Sequence, residues 1–388
     1  MRLLDSTLYN DDLAKVTELD LDWECLRGRS FMISGATGMI GSTLIDVLMK
    51  KNREQGLGVR VLALGRNEEK ARDRFLEYWD SAEFSFLKCD IMDAVGLRQV
   101  LDWSSLRQTQ EEVKNANPTS SNSSVNDKEI LLAKQNWVDY IFHAASNTHP
   151  VAYAQDPIGT ITANIIGLNN LLDYAAGHEC RRFIFASSNE IYGENRGDVE
   201  LFDESYCGYI DSNTLRAGYP ESKRAGEALC QAYIRQRGLD AVVVRFTRSF
   251  GPSLLKTDTK ALSQFLKKGV SGEDIILKSA GTQYFSYTYV CDAVSALLTC
   301  LLKGSCGEAY NVADQSCDIM LKDLAKLIAD YVGRRVIFEI PDAVEAAGYS
   351  KATKARLDST KLQQLGWKAQ FDIGTGIWHT VDIMKEIQ

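Results

Sequence analysis

An α/β fold is predicted for this chain of 388 residues, with a doubly wound parallel sheet and a smaller C-terminal α/β lobe. Three observations support this fold. Short runs of β-branched and aromatic residues alternate with helical stretches, a glycine-rich turn follows the first run, and the pattern changes after about residue 250. Such alternation is typical of βαβ units, whose strands pair in parallel and are covered by helices on both faces.

Length, charge and cysteine content restrict the protein class. At 45% hydrophobic residues, the chain can bury a large core without crosslinks. The formal charge of −8 and the scattered Lys and Arg residues disfavour nucleic acid and anionic membranes as partners. Nine cysteines lack metal-ligand spacing, and no stretch is typical of a signal peptide or a membrane span. We therefore expect a cytoplasmic protein with reduced thiols and no metal site.

The predicted segments follow in order along the chain. Residues 1–28 form an N-terminal helical extension. Residues 29–250 carry the alternation that predicts the sheet, with strand-like runs such as SFMIS, VRVLAL, VDYIFHAAS and RFIFASS. Within them, the polar, Ser/Asn-rich residues 108–128 have little to bury and are predicted to be a flexible insertion. Residues 251–388 are expected to form mainly the lobe that closes a cleft over the carboxyl ends of the strands.

A three-glycine turn directly follows the first predicted strand. Gly35-Ala-Thr-Gly38-Met-Ile-Gly41 stands between SFMIS and the helical stretch TLIDVLMKK. Gly35 permits the tight turn, Gly38 lets backbone N–H groups approach a pyrophosphate, and Gly41 lets the helix pack closely on the sheet. In this context the pattern predicts a dinucleotide site on a Rossmann-like sheet. The predicted contact set also includes the residues between the glycines: Thr37, Met39 and Ile40.

The end of the second predicted strand leaves the choice of cofactor open. VRVLAL is followed by Gly65-Arg66, where a ribose-binding acidic residue is expected. Arg66 either faces a 2′-phosphate, which favours NADP, or stacks on adenine with NAD bound, or is a solvated loop residue. NAD is the cofactor that we predict, with NADP as the alternative.

Residues after the third and fourth predicted strands are expected to complete the cofactor site. Asp90, followed by Ile91, is placed to bond the adenine edge. Ala144 and Ala145 of the HAAS segment offer a close backbone surface for the nicotinamide half. Ser146, the next residue, is a candidate substrate contact.

A Tyr-x-x-x-Lys pattern lies farther along the chain. Tyr219 and Lys223 are four residues apart at the start of a predicted helix, and hence on one face. A nearby lysine cation lowers the pKa of a tyrosine, so that the phenolate can take a proton from an alcohol while a hydride leaves to a nicotinamide. The pattern also occurs by chance in exposed helical turns, but downstream of a dinucleotide turn it predicts the catalytic pair.

The strand RFIFASS ends in a second group of polar residues. The carboxyl ends of parallel strands carry function in such sheets. Ser188 is placed to hold a reacting hydroxyl together with Tyr219. Glu190 is a candidate general base or orients a water, with a helix-start or salt-bridged glutamate as the alternative. Asn189, between them, is a candidate substrate contact.

Two further polar residues, His143 and Asp292, are expected to be structural. His143 and His149 flank the loop after the fourth predicted strand, and His143 is expected to pack at the strand end. Asp292 is expected to organise the junction with the C-terminal lobe.

Together these motifs resemble the extended short-chain dehydrogenase/reductases of the NAD-dependent epimerase/dehydratase family, over roughly residues 28–385. The likeness is greatest to the UDP-glucuronate decarboxylases. HPVAYAQDPIGTITANIIG is similar to their substrate loop, and KRAGEALCQAY to the helix after their catalytic lysine. LDSTKLQQLGW is similar to the family's closing motif.

The resemblance implies both residue roles and a reaction. Tyr219 is the base, Lys223 its partner, Ser188 the hydroxyl and Glu190 the accessory carboxylate. Asn164 is a structural or cofactor-side residue. A C4 hydroxyl of a nucleotide sugar is oxidised by bound NAD, the 4-ketone weakens a neighbouring bond, and the hydride then returns. Because a β-keto acid loses carbon dioxide easily, a UDP-glucuronate decarboxylase-like enzyme is our first prediction.

Other reactions remain as alternatives. Dehydratases of this family use an Asp-Glu pair, and the Asp position is Asn189 here, which disfavours 4,6-dehydration. An NAD(P)H-dependent reductase or 4-epimerase of a keto-sugar nucleotide would suit Gly65-Arg66. A regulator that kept the fold but lost turnover is disfavoured by the intact Tyr219, Lys223 and Ser188.

Two positions depart from the family pattern at the substrate. In RFTRSFGP, Arg248 stands where relatives usually carry Asn, and in GTQYFSYTYVCD, Phe285 replaces the usual diphosphate-binding Arg. We hypothesise that Arg248 restores the lost cation or binds a substrate carboxylate, with a structural ion pair as the alternative. The resemblance also implies a homodimer through the helices that flank Tyr219.

Overall fold

The part of the chain described by the computed structural model covers most of the sequence. It comprises residues 2–101, 138–147, 155–254, 258–339 and 353–388. The predicted insertion at 108–128 and His149 lie outside the described residues. Within those residues, no helix is long and apolar enough to cross a bilayer, and no group of three His, Cys, Asp or Glu side chains could hold a metal ion. All nine cysteines are free thiols.

A seven-stranded parallel sheet lies at the centre of the described residues. Its strands, in chain order, are β1 (Ser30–Ser34), β2 (Arg60–Gly65), β3 (Phe84–Lys88), β4 (Tyr140–His143), β5 (Arg182–Ser188), β6 (Ala241–Phe246) and β10 (Ala309–Val312). Their spatial order is β10-β6-β5-β4-β1-β2-β3, and every pairing is parallel. Because the order reverses between β1 and β4, the sheet is doubly wound, and the predicted Rossmann-like fold is confirmed.

Smaller sheets are formed mainly by residues beyond 250. Their strands are β7 (Arg248–Phe250), β8 (Ile275–Leu277), β9 (Tyr284–Tyr289), β11 (Asp318–Met320), β12 (Val336–Phe338) and β13 (Lys354–Ala355). β9 pairs with β7, β11 and β13, while β8 pairs with β12. One strand from beyond residue 250, β10, joins the large sheet instead. The predicted domain boundary at residue 250 therefore does not separate the sheet from the rest of the chain.

Helices cover both faces of the large sheet. They are α1 (Thr7–Thr17), α2 (Met39–Gln55), α3 (Glu68–Arg74), α4 (94–101), α5 (Pro157–Thr162), α6 (Leu168–Gly177), α7 (Gly218–Arg237), α8 (Ala261–Val270), α9 (Val290–Lys303), α10 (Leu321–Tyr331), α11 (Thr360–Gln364) and α12 (Ile373–Ile387). Successive side chains of a strand point to opposite faces. In β1, Phe31 and Ile33 accordingly belong to one hydrophobic core, and Met32 to the other. Burial on both faces explains why the strand is continuously apolar.

The N-terminal extension is joined to both halves of the molecule by buried polar contacts. Helix α1 packs against α2, α9 and α12. The fully buried Asp12 carboxylate accepts a hydrogen bond of 2.6 Å from the Tyr289 hydroxyl and lies 2.8 Å from Nδ1 of His379. One turn earlier, the Tyr9 hydroxyl donates to Asp46 of α2 over 2.7 Å. The extension is therefore an integral part of the fold.

Replacing Asp12 with alanine is expected to lower the free energy of unfolding by roughly 2–3 kcal/mol, because the buried Tyr289 hydroxyl and His379 lose their acceptor. Asp11→Ala is the matched control, since this neighbouring carboxylate on the same helix is exposed. Urea unfolding of the two variants at neutral pH measures the difference. Equal stability of both variants would show that the buried contact contributes nothing.

Candidate active site

The glycine turn between β1 and α2 brings two strand ends into backbone contact. Gly35 has φ of +73°, a conformation that side-chain-bearing residues rarely adopt. A Cβ at Gly35 would lie 2.8 Å from backbone atoms of both Ala144 and Ala145, just after β4. A Cβ at Gly41 would lie 2.6 Å from the carbonyl oxygen of Gly35. The absence of both side chains lets the start of α2 close onto the turn and the turn onto the end of β4.

The first turn of α2 fits the pyrophosphate of a dinucleotide. The helix begins at Met39, directly after Gly38, and residues 37–40 remain partly exposed. The first N–H groups of a helix have no acceptor within it, and the dipole of this 17-residue helix places positive potential at the same end. Thr37, Met39 and Ile40 thus surround a surface suited to a phosphate group.

Other predicted cofactor residues lie at the same edge of the sheet. Arg66 is exposed immediately after β2, which suits both a 2′-phosphate and an adenine contact. After β3, Asp90 is partly exposed and accepts a hydrogen bond of 3.0 Å from the Met92 N–H, while Ile91 is buried. Because β2 and β3 follow β1 in the sheet, these residues extend from the glycine turn on one side, and Ala144 and Ala145 extend from it on the other.

Tyr219, Lys223 and Ser188 are brought together at the carboxyl end of β5. Tyr219 is the second residue of α7, and the Ser188 side chain is close enough to its hydroxyl to lower the pKa of Tyr219. Nζ of Lys223 donates a hydrogen bond of 2.8 Å to the carbonyl oxygen of Ala186 and lies 5.8 Å from the centre of the Tyr219 ring. Both side chains of the pair are buried. The arrangement can hold an alcohol between two hydroxyl groups.

Burial is the main influence on the pKa values of Tyr219 and Lys223. It raises the pKa of Tyr219, the Glu190 carboxylate raises this pKa further, and the Ser188 hydrogen bond and the Arg216 guanidinium lower it. Burial also lowers the pKa of Lys223 to about 8, against the opposing effect of Glu227. The sequence predicted a lowered pKa for Tyr219, whereas its pKa in the structure is raised. The prediction considered the effect of Lys223 alone and not that of burial. In this structure the phenol keeps its proton at neutral pH.

Glu190 forms an ion pair within this site. It lies on the 3₁₀ turn Asn189–Tyr192, and its backbone N–H donates a hydrogen bond of 3.2 Å to Oγ of Ser188. Nη2 of Arg216 lies 3.1 and 3.3 Å from its two carboxylate oxygens. Of the interpretations given for Glu190, the structure therefore shows the salt-bridged glutamate, and it lies near Tyr219. Arg216 was not selected from the sequence, although a cation three residues before a catalytic tyrosine is a signal that could have identified it.

Two polar residues behind the site hold its backbone in place. The buried His143 ring stacks on Phe185, its Nδ1 lies 2.7 Å from Oγ of Ser34, and burial lowers its pKa to about 3, so that it is neutral. Asn164 lies in the π-helical turn Ala163–Gly167, and its amide donates to Oγ of Ser222 over 2.9 Å. Ser222 in turn donates to the carbonyl oxygen of Tyr219. These contacts position β4 and the start of α7.

The two positions that depart from the family pattern are in direct contact. The Arg248 guanidinium carbon lies 3.6 Å from the centre of the Phe285 ring. β7 and β9 pair in parallel, and Arg248 follows Phe246, the register partner of Ser188, by two residues. The backbone of Arg248 therefore lies close to the carboxyl end of β5. The Phe285 ring stacks against its planar guanidinium and supports it.

The remaining candidates have local partners. Oγ of Ser146 donates to the carbonyl oxygen of Asn147 over 3.0 Å, and Asn189 is buried at the end of β5. The Asp292 carboxylate is also buried and accepts hydrogen bonds of 2.8 and 3.1 Å from the N–H groups of Gln370 and Phe371. Burial raises the pKa of Asp292 to about 7. It thus links α9 to the C-terminal segment.

A methyl group at Gly41 is expected to weaken NAD binding about tenfold or more, because it would contact the Gly35 carbonyl oxygen and displace the phosphate-binding turn. Gly177→Ala is the matched control, since this helical glycine has open space around it. Isothermal titration calorimetry of both variants with NAD measures the effect. Unchanged affinity in Gly41→Ala would exclude this turn as the pyrophosphate site.

Similarity to known proteins extends over most of the chain. The family model described as "NAD dependent epimerase/dehydratase family" matches residues 31–106 and 105–313. UDP-glucuronic acid decarboxylase 1 of Xenopus tropicalis is 26% identical over 359 residues, which cover 92% of this chain and 72% of that protein. UDP-glucuronic acid decarboxylase 5 of Arabidopsis thaliana is 24% identical over 354 residues, covering 91% and 88%.

Solved structures share the fold at lower sequence identity. UDP-glucose 4-epimerase of Thermotoga maritima with UDP-glucose has a TM-score of 0.72 at 21% identity, covering 92% of this chain and 99% of that one. UDP-glucuronic acid 4-epimerase of Bacillus cereus, in complex with UDP-glucuronic acid and NAD, has a TM-score of 0.70 at 18% identity, covering 92% and 100%. The family match and the glycine turn agree on NAD as the cofactor, and the chain belongs to the NAD dependent epimerase/dehydratase family of enzymes.

Proposed function

We propose that this enzyme modifies a nucleotide sugar by decarboxylation, with UDP-glucuronate or a related UDP-hexuronate as the substrate and transient oxidation at C4. One observation carries the proposal: Ser188 at the end of β5 and Tyr219 at the start of α7, which packs on β5, lie at the sheet edge that also carries the glycine turn. The similarity of over nine tenths of the chain to UDP-glucuronic acid decarboxylases supports the choice of reaction.

The proposed reaction begins when Tyr219 removes a proton from the substrate. Ser188 and Tyr219 hold the C4 hydroxyl, and the Tyr219 phenolate takes its proton as the C4 hydride leaves. Bound NAD supplies the hydride acceptor and, in its oxidised form, a positive ring. The nearby Lys223 ammonium favours the phenolate. The two hydroxyl groups then remain as hydrogen-bond donors to the new C4 carbonyl.

Loss of carbon dioxide follows from the ketone. The bond between C5 and the carboxylate carbon breaks, carbon dioxide leaves, and the electron pair is delocalised onto the C4 oxygen between Tyr219 and Ser188. A proton from water then takes the place of the lost carboxylate at C5. The hydride returns to C4, and Tyr219 gives its proton back to the C4 oxygen. Dehydration would instead need an acid beside the reacting hydroxyl, and the buried Asn189 amide cannot supply that proton.

Incubation of the purified enzyme with UDP-glucuronate is expected to yield a product lighter by the mass of carbon dioxide, without net NADH formation. Tyr219→Phe is expected to slow this turnover by about 10²- to 10⁴-fold because the base is lost. Mass spectrometry of the products, with dTDP-glucose in parallel, measures both. Loss of water from dTDP-glucose would instead indicate a dehydratase, and an isomer of unchanged mass would indicate an epimerase.

A reductase of keto-sugar nucleotides is the second candidate. The exposed Arg66 at the end of β2 favours it, because a cation there suits the 2′-phosphate of NADPH. A reductase consumes NADPH in proportion to product, whereas the proposed decarboxylase recycles its cofactor. Mass spectrometry of the nucleotides released on denaturation distinguishes NAD from NADP.

The homodimer expected from the family resemblance stays a prediction.

Arg248 is proposed to bind an anionic group of the substrate, either the diphosphate or the hexuronate carboxylate. Its stacking on Phe285 supports this role, because a supported guanidinium loses little freedom when it binds an anion. Arg248 follows the register partner of Ser188 by two residues. Its backbone therefore lies near the Ser188 hydroxyl that is proposed to hold the substrate.

Arg248→Ala is expected to raise KM about 10- to 100-fold, since a charge-assisted hydrogen bond to the substrate is lost. Arg72→Ala is the control, because Arg72 also stacks on an aromatic ring, that of Trp79, but lies on α3. Steady-state kinetics with the substrate identified above measures the change. Normal KM and kcat in Arg248→Ala would leave the arginine a structural role only.

A further inference from the structure

The ion pair of Glu190 and Arg216 borders the Tyr219 hydroxyl. Nη2 of Arg216 lies 3.1 and 3.3 Å from the two oxygens of Glu190, and the two side chains are 44% and 27% exposed. Ion pairs this exposed contribute little to stability, typically less than about 1 kcal/mol. Stability alone therefore gives little reason for a charged pair at this position.

Short backbone connections hold the pair next to the catalytic hydroxyls. Glu190 follows Ser188 by two residues, and its N–H donates to Oγ of Ser188, the side chain that also lowers the pKa of Tyr219. Arg216 lies on the 3₁₀ turn Leu215–Ala217, which continues directly into α7 at the residue before Tyr219. Carboxylate, guanidinium and phenol are thus carried by two adjoining turns.

We propose that Arg216 is a positioning residue of the reaction that acts through Glu190: it holds this carboxylate beside the Tyr219 hydroxyl and balances its negative charge there. The inference rests on the proposed function only in assigning the role of base to Tyr219. Without the guanidinium, an uncompensated carboxylate would oppose formation of the phenolate.

Among the residues that the structure describes, few other charges face Tyr219. Lys223 lies one turn farther along α7, and residues 157–167, which pack against the same helix, include no ionisable side chain. On β6, Arg245 is held by Glu227. On β4, His143 is neutral because burial lowers its pKa to about 3.

Glu190 and Arg216 therefore act on the pKa of Tyr219 in opposite directions. The Glu190 carboxylate raises the pKa of Tyr219 and the Arg216 guanidinium lowers it. Replacing Arg216 with glutamine should raise the pKa of the phenol, and replacing Glu190 with glutamine should lower it. A purely structural pair would give no such opposition.

Incorporation of 3,5-difluorotyrosine at position 219 allows a direct test without turnover. Fluorination makes the phenol more acidic, and ¹⁹F NMR then follows its titration while the protein is folded. Arg216→Gln should raise the midpoint by about 0.5–1 pH unit, equivalent to a roughly 3- to 10-fold smaller phenolate fraction below the midpoint. Glu190→Gln should lower it by a similar amount, and Arg216→Lys should restore most of the wild-type value.

Arg27→Gln is the matched control, because Arg27 forms an exposed ion pair with Glu24, and both residues are distant in the sequence from Tyr219. It should leave the midpoint unchanged. An unchanged midpoint in Arg216→Gln, or shifts of the same sign in Arg216→Gln and Glu190→Gln, would overturn the inference. The titration needs no sugar nucleotide, so an enzyme that fails to decarboxylate any hexuronate would refute the proposed function and still leave the role of Arg216 measurable.

Discussion

The contact between the end of β1 and the end of β4 is the constraint on which the rest of the site depends. The strand order reverses here, and the Gly35 turn lies against the backbone of Ala144 and Ala145, with no room for a side chain between them. The candidate cofactor residues extend from this point toward β3. Ser188 ends the strand β5 next to β4, and Tyr219 lies at the start of α7, which packs against β5. The proposed cofactor site and the proposed base therefore lie at the same edge of the sheet.

The surroundings of Tyr219, the proposed base, disfavour ionisation of its hydroxyl. Tyr219 is buried, and burial outweighs the nearby positive charges in the protein itself. Lys223, although buried, remains largely charged at neutral pH because its pKa is about 8. In the proposed reaction the phenolate is favoured by nearby positive charge, and Arg216 is proposed to contribute by balancing the charge of Glu190.

Buried polar contacts also explain how the second half of the chain is held over the sheet. Asp12 connects the N-terminal helix to Tyr289 and His379, and Asp292 connects α9 to the segment before α12. Strand β10 enters the large sheet beside β6. The residues around Arg248 and Phe285 are thus attached to the cofactor-binding sheet by several independent contacts, which keeps the two sides of the site in register.

Features that depend on local pattern could be predicted from the amino-acid sequence alone. Alternating apolar runs predicted a parallel sheet, and the spacing of Gly35, Gly38 and Gly41 after a strand predicted the dinucleotide turn, because short-range backbone geometry demands these residues. Tyr219 and Lys223 follow the same logic, since four residues make one helical turn. The folded structure was needed to find which distant side chains meet, namely Glu190 with Arg216 and Arg248 with Phe285. It was also needed for the direction in which the pKa of Tyr219 shifts. These depend on burial and on charges from separate elements, which no sequence spacing records.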